Sequence, residues 1–122
     1  MAVTVTPQQG PITNSKLVED SDAGESAVNN TTGGGGTLYM VEIINGDSGG
    51  AVYFKIADAT TATAGTTAAS IVLMCAASAT RSYVFPGGLV FSNGFSHWCT
   101  SGAAQTNIGA PGATVVVRYV TT

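Results

Sequence analysis

The chain has 122 residues, four basic and seven acidic side chains, a net charge of −3 and charged residues at only 9%. That length fits one domain, and four scattered cations (Lys16, Lys55, Arg81, Arg118) exclude a phosphate-backbone binder, which needs a cluster of them. The longest apolar run, Ile71 to Ala77, is far short of the roughly 20 residues of a membrane-spanning helix, while the 44% hydrophobic content is too high for a disordered chain.

The first 36 residues differ from the rest. Ala2–Thr6 and Ser15–Val18 each read as a short strand, and Pro7 and Pro11 break anything longer. The stretch Glu19-Asp20-Ser21-Asp22-Ala23-Gly24-Glu25 holds four of the seven acids and reads as a solvated loop. Asn29-Asn30-Thr31-Thr32 then runs into Gly33–Gly36, a tetraglycine without conformational preference. The expectation is an extended N-terminal arm with a glycine-rich hinge over 1–36, ordered by what it touches, followed by a β-domain over 37–122. The N-terminus has neither the basic nor the apolar region of a signal peptide, which predicts synthesis in a cytoplasm and reduced Cys75 and Cys99.

From Thr37 the pattern is that of strands. Thr37–Ile44 is rich in β-branched and aromatic residues, and Asn45–Gly50 reads as a turn into Ala51–Ile56. In the latter, Val52, Phe54 and Ile56 face inward and Tyr53 and Lys55 outward. An Ala/Thr/Gly loop over 58–67 leads to a buried strand, Ile71–Cys75. Arg81–Phe85 follows, then a turn at Pro86-Gly87-Gly88, Leu89–Phe91, a hairpin turn at Asn93-Gly94, and Phe95–Thr100. Beyond the 101–112 loop the last strand is Thr114–Val120, with either Val115/Val117/Tyr119 or Thr114/Val116/Val120 inward. About seven short strands and no helical stripe predict an all-β, antiparallel β-sandwich, jelly-roll-like.

Several motifs invite a catalytic or metal reading. Gly46-Asp47-Ser48-Gly49-Gly50 spells a serine nucleophile motif, and Ser48, Asp58 and His97 follow the chain order of α/β-hydrolases. That elbow needs a strand, a sharp turn and a helix, and here a strand follows, so the motif reads as a turn. His97, the one histidine, alternates with Phe95 and Cys99 and reads as packed on an apolar or interface face. With Cys75 and Cys99 it makes a zinc site only if the fold converges all three. The acids from Asp20 fail the calcium-loop spacing, since the twelfth position is Thr31. Trp98 reads as core or interface, with a sugar-stacking platform the other use of an exposed indole. No catalytic, cofactor-binding or metal residues are therefore assigned; the chain is read as not an enzyme, without cofactor, nucleic acid or membrane partner.

From Val52 onward, Val52–Ala59, Thr63–Thr67, Ile71–Met74, Thr100–Asn107 and above all Phe85-Pro86-Gly87-Gly88-Leu89-Val90-Phe91-Ser92-Asn93-Gly94 resemble small all-β virion proteins of tailed bacteriophages, including head decoration (cement) proteins. The resemblance covers about residues 52–120. It implies a structural viral protein on the capsid surface, made in the host cytoplasm, that binds between capsomers and stabilises the shell. Its implied partners are the major capsid protein and copies of itself; a homotrimer is expected rather than a dimer because threefold points between capsomers are where such a brace resists internal pressure. The alternative is a tail, neck or fibre component, or a host-surface adhesin, on the same sandwich.

Overall fold

The computed structural model describes residues 3–7 and 15–122, all strand and loop. The eight strands are β1 (Val3–Pro7), β2 (Lys16–Asp20), β3 (Gly36–Asn45), β4 (Val52–Asp58), β5 (Ile71–Cys75), β6 (Thr80–Phe91), β7 (Phe95–Thr100) and β8 (Val115–Thr121). They form two antiparallel sheets, β1-β2-β8-β3-β6 and β5-β4-β7. Along the free edge of β7 runs the 24–31 segment. Val28 exchanges backbone hydrogen bonds with His97 at 2.8 and 2.9 Å, Cys99 N–H donates to Gly24, and Thr31 N–H donates to Phe95. With that segment as an irregular strand the orders become β2-β8-β3-β6 and 24–31-β7-β4-β5, two facing four-stranded sheets. This is jelly-roll topology, with β1 added outside β2.

The sandwich expectation therefore holds, but the expected arm does not stand apart from it. β2 lies between β1 and β8, with Val18 fully buried, and the 24–31 segment completes the second sheet. The parts of that arm at 1–2 and 8–14 lie outside the described residues. The tetraglycine is a point of close approach more than a hinge, because a Cβ at Gly35 would strike the Phe91 and Ser92 carbonyls.

Three expected turns are also corrected. Pro86-Gly87-Gly88 does not reverse the chain: β6 continues on β3, with Met40 opposite Val84 and Leu38 opposite Leu89, and the extra residues bulge outward. Gly87 and Gly88, at φ of 79° and 80°, supply the left-handed backbone, and a side chain at Gly88 would strike Thr37 and Tyr39. Asn93-Gly94 closes no hairpin, since it carries the chain from β6 in one sheet to β7 in the other. Asn45–Gly50 likewise crosses between sheets, joining strands that do not pair.

The alternation in β4 puts Val52, Phe54 and Ile56 inward, all fully buried, and of the two candidate registers in β8 the buried one is Val115/Val117/Tyr119. With Leu38, Val41, Ile43, Phe95 and both cysteines they make one core between the sheets. A second, smaller cluster lies on the outward face of β4 and β7, where Trp98 and Ala57 are covered by Ala27, Ala59, Ala62, Ala64 and Ala69. Lys55, expected outward, is indeed on that face but is fully buried beneath loops.

Candidate functional site

The residues of the serine-hydrolase reading are each engaged elsewhere. Ser48 is exposed in a crossing built by Asn45 and Asp47: the Asn45 carboxamide donates to Gly50, Cys75 and Ala76, and Asp47 accepts from the backbone of Gly49 and Gly112. The Asp58 carboxylate accepts from the backbone N–H groups of Ser92, Asn93 and Gly94 at 3.0, 2.7 and 3.3 Å. Burial works against its charge, but these three bonds hold its carboxyl below the usual range. Asp58 is thus the clamp of the β6–β7 crossing. Both His97 ring nitrogens have partners that include neither Ser48 nor Asp58.

Those partners form a buried polar chain. His97 is fully buried; its Nε2 lies 2.8 Å from Asp20 Oδ2 and its Nδ1 lies 2.9 Å from the Tyr119 hydroxyl, which is 2.8 Å from Thr31 Oγ1. An ionised carboxylate only accepts, so Nε2 carries a proton directed at Asp20, and in the neutral ring Tyr119 is then the donor to Nδ1. Burial raises the Asp20 pKa, yet the His97 hydrogen bond and the Asp22 backbone N–H prevail and leave it lowered. Burial likewise pushes the Tyr119 phenol upward. Four segments meet here: β2, the 24–31 segment, β7 and β8. The chain is enclosed within the core and reads as a structural staple. Asp20 was expected in a solvated acidic loop; the signal for its burial was its period-2 spacing from Val18.

The zinc reading fails on topology. β4 lies between β5 and β7, so Cys75 and Cys99 are two strand spacings apart, about 10 Å, beyond disulfide reach as well. Both thiols are free and buried, and burial pushes the Cys99 thiol up to about 12, which keeps it an unreactive core group. Trp98, 1% exposed, offers no stacking platform.

What remains open is surface. β5 and β6 are the terminal strands of their sheets, joined by the short 76–79 connection, so one side of the sandwich presents two strand edges unpaired among the described residues. Arg81 is the one charge on these two strands. Val72 and Met74 on β5 are exposed on the outward face of the smaller sheet, and Val84 and Val90 on β6 are 67% and 75% exposed on that of the larger one. The strand register extends this apolar surface over the outward face of the larger sheet, through the cross-strand row Val84–Met40–Val120–Leu17. In the next row Arg118 lies between Glu19 and Glu42 and pairs with both, so the charges on that face largely cancel. Outward positions of a sheet that faces water are normally polar, and exposed edges are normally guarded by charge. Here both rules are broken on adjoining surfaces.

Comparison of the chain with protein-family models, with curated proteins and with solved structures gives no match in any of the three.

Proposed function

We propose that this chain is a structural protein of a virus particle, a head decoration (cement) protein that binds the outer shell between capsomers and stabilises it. Its role is to associate, with the major capsid protein and with copies of itself as a trimer, and not to catalyse. The observation that carries this reading is the nearly uncharged β5–β6 side, two open strand edges flanked by exposed Val84 and Val90 on one outer face and by Val72 and Met74 on the other. Such a surface suits burial against a neighbouring subunit, by strand addition at the edge and apolar contact on the face. The motif behind the resemblance, Phe85–Gly94, forms much of that edge. Simultaneous attachment through several subunits of a trimer strengthens binding without new chemistry.

The test is to add the protein to undecorated heads and compare it with Val84→Lys/Val90→Lys, two substitutions at exposed positions that leave the core intact. The variant is expected to fold, to sediment as a smaller species and to lose at least tenfold in occupancy. Equal occupancy, or recovery of the native protein with tails when particles are dissociated, overturns the reading. So does a monodisperse monomer that binds twofold sites, as regards the trimer.

A further inference from the structure

Lys55 lies on β4 in register between Val72 of β5 and Trp98 of β7, so the three side chains share the outward face of the smaller sheet. Its side chain is fully buried, and the ammonium donates to a single recorded acceptor, the Ala104 carbonyl at 2.8 Å. An ammonium carries three donors, and a buried charge is ordinarily paired. No carboxylate pairs with this one. Glu19 and Glu42 hold Arg118, Asp20 holds His97, and Asp47 and Asp58 hold backbone amides, while Asp22 and Glu25 are exposed on the 21–26 loop. All seven acids are then accounted for. On the neighbouring strand the indole Nε1 of Trp98, packed under alanines of the 27 and 59–69 segments, is buried with no hydrogen-bond partner among the described residues.

The cover over Lys55 is thin. Ala104 is itself exposed, as is most of the 101–110 loop, which is fastened by Ser101 N–H to Gly109 and by Gln105 Nε2 to Thr66. We infer that Lys55 is the floor of an anion-receptive site beneath the 101–110 loop, with Trp98 as its neighbour on the same sheet face, and that the ligand is a carboxylate or phosphate oxygen that takes the place of the Ala104 carbonyl. Opening this one loop brings the ammonium to solvent without disturbing either sheet. Burial lowers the lysine's pKa, and an incoming anion opposes that effect. Carboxylate chemistry has two sources, a free anion or the acidic side chain of a neighbouring protein. The site is independent of the virion reading.

Trp98 is the sole tryptophan and Lys16 the sole other lysine, so both groups have clean probes in the intact chain. The protein is titrated with inorganic phosphate, with acetate and with the blocked peptide acetyl-Glu-Glu-Glu-amide, against chloride at constant ionic strength. The indole N–H resonance and the Lys55 Cε resonance are followed. The expected result is a saturable shift of the indole and a raised Lys55 pKa, at least tenfold weaker in affinity for Lys55→Met and preserved in Lys16→Met. Response to the inorganic anion or acetate identifies a free anion as the source, and response to the peptide alone identifies a protein side chain. No saturable response to any of the three, or an equal one in Lys55→Met, overturns the inference. Should Lys55→Met fail to fold, the Lys55 resonance in the native chain decides: a pKa unmoved by all three probes refutes the site.

Discussion

Tyr119→Phe tests whether the buried polar chain holds the fold together. The substitution keeps the ring, which contacts Phe54 and Phe95 at centroid distances of 6.1 Å each, and so leaves no cavity of consequence. What it removes is the hydroxyl between His97 Nδ1 and Thr31 Oγ1. His97 is fully buried, so its Nδ1 is left without a partner or water, a loss of about 1–3 kcal/mol. Thr31, whose one proton goes to the Tyr119 oxygen in the native chain, can turn it to the Phe95 carbonyl at 3.3 Å, and its share is therefore smaller. The expected total is about 2–3 kcal/mol, read by urea denaturation at pH 7 with an unchanged m-value. A loss below about 0.5 kcal/mol would refute the reasoning, since exposed or dispensable hydroxyls fall in that range.

Phe54→Ala empties a fully buried aromatic site between the two sheets and is expected to cost about 3–5 kcal/mol by the same denaturation assay; a loss under about 1 kcal/mol would refute its placement. Asp20 supplies a pH dependence: its folded pKa lies below 3.8, so its stabilising contribution is present above about pH 4 and is lost as pH falls through the folded value. Asp20→Asn is therefore expected to be less stable than the native chain at pH 7, with the gap closing below pH 4; parallel stability curves would contradict this.

The period-2 patterns of Val52/Phe54/Ile56 and Val115/Val117/Tyr119 made the class of the fold legible, because a strand with one buried face must alternate. The same rule, applied to Val18 and Asp20, marks the carboxylate that is buried against His97. What a linear pattern lacks is pairing. The crossings at 45–50 and 91–95 read as turns in the sequence, but short polar turns join strands of different sheets as readily as neighbours in one, and only the packed sandwich chooses. The 1–36 segment read as an arm because its strands are short and its glycines many; it joins the sheets because β8 and β7 offer free edges whose backbone groups need partners. Lys55 shows the limit most plainly. Alternation correctly placed it on the outward face of β4, but whether that face meets water or the 101–110 loop depends on chain some 50 residues away. Burial, unlike strand direction, is decided by contacts that tertiary structure alone brings together.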